Sequence, residues 1–167
     1  MVDLRPPGLD ELGLVAALRE HAREAESRAG FSATVVGTEP APRLPPTTEI
    51  TLFRIAQEAL INVAKHAHAT EATITLEIRP EAVVMTIADN GQGIDTAARP
   101  GQPTRSLGMV GMRERAESIG AQLRFESAPG QGTRVIAEVP RTGPDSSVQP
   151  HFPGSEPPED LGEWNPL

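Results

Sequence analysis

Cysteine and tyrosine are absent from the 167 residues, and tryptophan occurs once. Without thiols the chain can form no disulfide, no thiolate metal centre and no cysteine nucleophile, and a reducing cytoplasm is the expected setting. Aromatic residues make up only 3% of the sequence, and the formal net charge is −8. Few stacking platforms and an acidic balance both argue against sequence-independent nucleic-acid binding. No apolar run approaches membrane-spanning length, and the start, MVDLRPPGLDE, lacks the form of a signal peptide. A soluble piece is expected, which leaves open whether a longer protein containing it is anchored in a membrane. Lysine occurs once, as Lys65, among 15 basic side chains. If the ligand is an anion, positive charge must be supplied locally.

What is present is organised around one stretch, Thr47 to Ala69, TTEITLFRIAQEALINVAKHAHA. Its spacing predicts a single long amphipathic helix, capped by Thr47 or Thr48, with Glu49 in the first turn where the helix dipole favours a carboxylate. Phe53, Ala56, Leu60, Val63, Ala64 and Ala67 recur at helical intervals and form the expected buried stripe. At about 100° per residue, Glu58, Asn62, Lys65 and His66 fall on one side. A carboxylate, an amide, an ammonium and an imidazole so placed can polarise a hydroxyl, hold hydrated magnesium and meet phosphate oxygens. A solvated, salt-bridged face is the plain alternative.

Before this helix, Met1 to Pro7 reads as a linker broken by Pro6-Pro7. Leu9 to Gly30 reads as a helix, with Val15, Leu18, Ala22, Ala25 and Ala29 on one side and Gly30 as C-cap. Phe31 to Gly37 reads as a strand, followed by a proline-rich loop. After the central helix, Ala72, Ile74, Leu76 and Ile78 alternate with polar residues, and Val83 to Ala88 is apolar on both faces. These predict an antiparallel hairpin whose second strand is central. That strand runs into Asp89-Asn90-Gly91-Gln92-Gly93-Ile94. Its glycines allow positive φ and close approach of a flat ligand, and Asp89 at the mouth of the sheet can accept a hydrogen bond from an exocyclic amine; an ordinary turn is the alternative.

Residues 95–107 have no period and predict a mobile loop. Gly108-Met109-Val110-Gly111-Met112 then leads into a helix with Met112, Ala116 and Ile119 inward and Gly120 as C-cap. A glycine-rich helix start with free N–H groups is a ready phosphate site. Gln122 to Ser127 and Thr133 to Val139 form a last hairpin about Gly130-Gln131-Gly132. The Thr133 hydroxyl is structural, or points into a pocket beside Asp89 if the two central strands are neighbours. From Arg141 the chain turns Pro-rich and acidic, and disorder is expected.

The predicted order gives an α+β two-layer sandwich, with helices on one face of a mixed, mainly antiparallel sheet. EALINVAKHAHA, DNGQGI, GMVGMRER and GQGT, in that order, resemble the N, G1, G2 and G3 boxes of the GHKL ATPases, which share the Bergerat ATP-binding fold with a mobile ATP lid. LRPPGLDELGLVAAL and GMRERAESIGAQLRFESAPGQGT are closer still to bacterial histidine kinases of the nitrate/nitrite-sensor type. The resemblance covers Leu4 to Pro140. It divides the chain into the end of a dimerisation hairpin (1–8), an ATP-binding catalytic domain (9–140) and an acidic tail (141–167).

The resemblance implies ATP and magnesium as cofactors, Glu58 as the acid acting on the proton of the attacking group, and Asn62 as magnesium ligand. Lys65 and His66 would lie near the phosphates. Asp89 would bind the adenine amine, with Gly91, Gly93 and Ile94 shaping that wall and Thr133 completing the network. Gly108, Met109, Val110, Gly111 and Met112 would flank the lid and meet phosphate. None of the four histidines is followed by an acid, as the phospho-accepting histidine of such kinases is. The implied partners are therefore a separate dimerisation and phospho-acceptor domain and, indirectly, a response regulator, with the piece alone expected to be monomeric and unable to autophosphorylate. An anti-sigma-type serine kinase and a non-catalytic, ATP-gated interaction module are the alternatives.

Overall fold

The computed structural model describes residues 5–93 and 106–141. In chain order it comprises α1 (Leu9–Leu12), α2 (Leu14–Ala29), β1 (Ser32–Gly37), α3 (Pro46–Asn62), a π-helical turn (Val63–Ala67), β2 (Glu71–Ile78), β3 (Ala82–Asp89), α4 (Ser106–Ser118), β4 (Gln122–Ser127) and β5 (Thr133–Pro140). The five strands form one sheet in the order β1-β2-β3-β5-β4. Only β1 and β2 are parallel, because α3 carries the chain back between them; the other neighbours are antiparallel.

Three sequence expectations are corrected. The helix predicted from Leu9 to Gly30 is two helices, since Gly13 adopts φ 92° and breaks the ladder. Glu39 then caps the new start, its carboxylate accepting from the N–H groups of Val15 and Ala16. Neither Thr47 nor Thr48 caps α3. The helix starts earlier, at Pro46, whose fixed φ and missing N–H suit a first helical position. Finally, α3 ends at Asn62, and the following residues widen into the π turn, which closes at His68 in the left-handed conformation (φ 49°). Ala64 is consequently exposed rather than part of the buried stripe.

The remaining periodicities are realised except at two element ends, where Ala29 of the α2 stripe and Ile78 of the β2 alternation are exposed. Gly30 caps α2 in the left-handed conformation, its N–H donating to Glu26. Glu49 is buried at the start of α3 (2% exposed) because Arg43 neutralises it. Arg43 reaches both carboxylate oxygens at 3.0 and 2.8 Å and also donates to the Leu9 and Asp10 carbonyls. One guanidinium thus ties α1 to the first turn of α3. Leu14 and Leu18 from α2, Leu52, Ile55 and Leu60 from α3 and Met112 from α4 pack on Ile74, Met85 and Ile87 of the sheet. Each such fully buried side chain is worth about 1.5–3 kcal/mol of transfer free energy. The core is the layer between helices and sheet, and it fixes which sheet end lies beneath the C-terminal end of α3.

Candidate functional site

Alternation along β3 puts Val83, Met85, Ile87 and Asp89 on the helix-facing side. Three of these are core residues; the fourth is a carboxylate where the core layer ends. Register places Asp89 beside Thr133, the first residue of β5. The Asp89 carboxylate accepts from the N–H of Gly91 at 2.8 Å and from the Thr133 N–H. Burial nevertheless pushes its pKa above the usual carboxylate value, with those two hydrogen bonds opposing the shift. A half-buried carboxylate held by two backbone donors keeps acceptor capacity facing outward.

The opposite wall is the end of α3 and the π turn. Its last carbonyls lack intrahelical partners and are met by the turn after β3. Gln92 N–H donates to the Ala67 carbonyl at 2.7 Å, and the Gln92 amide donates to the His66 carbonyl at 2.6 Å. Asn90 holds the other side, accepting from Thr70 and Glu71 N–H at 3.0 Å each. A Cβ at Gly91 would overlap the Ala67 carbonyl oxygen, so only glycine permits this approach. The Asp89–Gly93 turn is therefore both a helix cap and one wall of the site.

Between these walls lies a cleft of about 600 Å³ including its open mouth. Ala59, Asn62, Val63 and His66 line it from the helix side, Met109 and Met112 from α4, and Ile87, Asp89, Phe125, Thr133 and Val135 from the sheet. It is mainly apolar, with a few convergent polar groups, as small-molecule sites are. Phe125 and Val135 were not singled out in the sequence. The signal was available, because Val135 lies two residues beyond Thr133 on the same strand face and pairs with Phe125.

The predicted polar arc is divided. Asn62 and His66 line the cleft, whereas Lys65 is exposed and Glu58 half-buried, both outside its lining. For Lys65 the cause is the π turn, whose wider winding shifts every position after Asn62 relative to an α-helix. Glu58 remains close to Asn62 at the cleft edge. A Cβ on Gly108 would come within 2.8 Å of Glu58 Oε1 and 3.8 Å of Asn62 Nδ2. The first turn of α4 thus crosses directly over these two side chains, and a Cβ at Gly108 would require the Glu58 carboxylate to shift. Gly93 lines the cleft with φ 72°. Val110 is exposed, and Val110, Gly111 and Met112 lie past the first turn of α4, where N–H groups enter the helical ladder. Ile94, and the predicted lid apart from its end at Ser106 and Leu107, lie outside the described residues.

A mixed five-stranded sheet covered on one face by helices, with a cleft lined by Asp89 and Asn62 at one end, makes a two-layer α+β domain. Residues 47–143 match the family described as histidine kinase-, DNA gyrase B-, and HSP90-like ATPase. The chain belongs to this family. Among curated proteins it is similar to the signal transduction histidine-protein kinase/phosphatase DegS of Bacillus subtilis, 36% identical over 81% of this chain, and to DegS of Brevibacillus brevis, 36% identical over 84%. It spans 36% of the length of each. Its fold is that of the histidine kinase domain of the Erythrobacter litoralis EL346 blue-light activated kinase (TM-score 0.63, 21% identity, 75% of this chain and 64% of that one). The Acinetobacter baumannii histidine kinase AdeS shares it as well (TM-score 0.60, 13% identity, 78% of this chain and 64% of that one). Among the described residues no helix is long and apolar enough to cross a membrane.

Proposed function

We propose that this chain is the ATP-binding catalytic domain of a two-component sensor histidine kinase, and that it donates the γ-phosphate of ATP to a histidine on a dimerisation domain. The observation that carries the reading is the pairing of Asp89 with Thr133 at the inner end of an apolar cleft. Apolar walls suit the faces of a purine ring, and a carboxylate anchored by two N–H groups suits its exocyclic amine. Domain identity is supported by the family match, and the kinase activity by similarity to the DegS proteins. The narrower likeness to nitrate/nitrite-sensor kinases rests on LRPPGLDELGLVAAL, KHAHA and GMRERAESIGAQLRFESAPGQGT.

The residues present fit magnesium. Among the described residues no group of three or more His, Asp or Glu side chains is placed to hold a metal by itself. Magnesium bound together with phosphates needs few protein ligands, and the Asn62 amide at the cleft edge suits it. When bound, it would offset the negative charge of the phosphates. In this reading Glu58, at the cleft edge beside Asn62 and Gly108, takes the proton of the attacking group. Lys65, on the exposed side of the π turn, is the one lysine able to approach phosphate as the ligand enters, and helix-start N–H groups at Gly108 would add donors. Positioning and charge balance of this kind constitute most of what a protein contributes to phosphoryl transfer. The reading implies a response regulator as the eventual recipient.

Calorimetric titration of ATP and a non-hydrolysable analogue, with and without magnesium and beside GTP, tests the site. Magnesium-dependent binding of adenine but not guanine nucleotides is expected. No binding of any nucleotide would leave a scaffold that serves interaction only. Incubation with a separately supplied dimerisation domain and labelled ATP then tests transfer to histidine.

A further inference from the structure

Phe125 lies on β4, the outermost strand of the sheet, so it has a strand neighbour on one side only, Val135 of β5. Both side chains line the cleft. Phe125 is half-buried and packs only partly against the core. An aromatic ring at such an edge keeps one rotamer only if another element covers it. Here α4 supplies the cover. The Arg113 guanidinium carbon lies 5.2 Å over the centre of the Phe125 ring, within the range of a cation–π contact. Arg113 is exposed and is not among the residues that line the cleft; it borders a separate surface depression with Glu117, Gln122 and Arg124. Glu117 lies one turn further along the helix, at a spacing that suits an ion pair, yet Arg113 makes no ion pair or hydrogen bond with any described residue. The ring is its partner.

We propose that Arg113 is a positioning residue for the nucleotide base: from outside the cleft it holds the Phe125 ring in place as part of the wall, and it acts through that ring rather than by meeting phosphate. The inference rests on the adenine-site reading above. A ring already fixed offers its apolar surface to a purine without the cost of being ordered on binding. Arginine suits the task, because its planar, weakly hydrated guanidinium stacks on aromatic faces. The first turn of the same helix passes over Glu58 and Asn62, so one element reaches both the β4 wall and the polar side chains at the cleft edge.

The test is titration of ATP, ADP and AMP, with magnesium, into the wild-type chain, Arg113→Ala, Arg113→Lys, Phe125→Leu and the double variant of Arg113→Ala with Phe125→Leu, each checked by thermal melting. Arg113→Ala should weaken all three nucleotides by the same factor, about two- to fivefold, the worth of one exposed cation–π contact. Arg113→Lys, which keeps the cation but not the planar fork, should recover part of the loss. In the Phe125→Leu background, Arg113→Ala should cost nothing further, since there is no aromatic ring left to hold. A loss that shrinks as phosphates are removed would mean that Arg113 meets phosphate, and would overturn the proposal. So would a loss that persists in the Phe125→Leu background, or unaltered affinity in a folded Arg113→Ala protein, whether or not its melting temperature falls. Phe125→Met repeats the comparison if leucine costs the fold. Failure of the wild type to bind any of the three nucleotides would overturn the adenine-site reading itself.

Discussion

Replacing Asp89 with asparagine separates binding from folding, because the two respond in opposite directions. The carboxylate is the charged acceptor at the inner end of the cleft, and a hydrogen bond to a charged group is worth about 1.5–3 kcal/mol. Asp89→Asn should therefore weaken ATP by roughly 10- to 150-fold. Stability should not follow. Burial raises the Asp89 pKa above its ordinary value, so the folded chain takes up this proton at higher pH than the unfolded chain does. Between those two pKa values the native state binds more protons, and stability falls as pH rises. Asparagine carries no charge to desolvate, and its Oδ1 can still accept from the Gly91 and Thr133 N–H groups. Asp89→Asn should thus melt at the same temperature as the wild type or higher at neutral pH, and the difference should vanish below the ordinary carboxylate pKa, where both chains are neutral at this position. Wild-type affinity for ATP should decline as pH falls through the raised pKa, and the variant should show no such decline. Calorimetry and thermal melts from below the ordinary carboxylate pKa up to neutral pH read both effects. Equal loss of affinity and stability would mean that Asp89 is structural and that its place in the cleft is incidental.

Asn62→Ala should abolish magnesium-dependent ATP binding, with melting behaviour little changed because the side chain is only half-buried; retained magnesium dependence in a titration would rule out the metal assignment. Gly91→Ala drives a methyl group into the Ala67 carbonyl, and overpacking of that kind costs about 1–3 kcal/mol. Denaturant unfolding and ATP affinity should both suffer, since the same turn caps the helix end and walls the cleft. Glu39→Ala removes the cap on α2 at a cost of about 1 kcal/mol. Glu39→Gln should recover most of that in denaturant midpoint, and ATP affinity should be unaffected by either change.

The elements whose physics is local were legible in order along the chain. Alternation in Ala72–Ile78 and Val83–Ala88 predicted two strands and a central position for the second, because a period of two and a two-sided apolar run are properties of a few consecutive residues. Gly30 and Gly120 marked helix ends for the same reason, since positive φ is a single-residue preference. Asp89 and Thr133 were predicted to be neighbours conditionally, on the two strands pairing, and β3 and β5 do pair. The helix ends were less legible. A helical pattern reads through Gly13 because one glycine inside a helix costs only about 1 kcal/mol; the break there is favoured by the distant Glu39 carboxylate.

By itself the sequence determined the order of helices and strands, the apolar faces they bury and the residue types available for chemistry. Tertiary structure decided which of those residues meet. Lys65 left the polar arc, and Asn62 and His66 stayed at the cleft, because a π turn clamped by Gln92 replaces the last α-helical turn. Gly108 proved to be the point where α4 passes over Glu58 and Asn62, a contact spanning many residues of sequence. The Ser127 and Thr133 hydroxyls meet at 2.9 Å across a hairpin. Periodicity is fixed by the chain's own neighbours, whereas hydrogen-bond direction and close backbone approach exist only once distant segments are packed together.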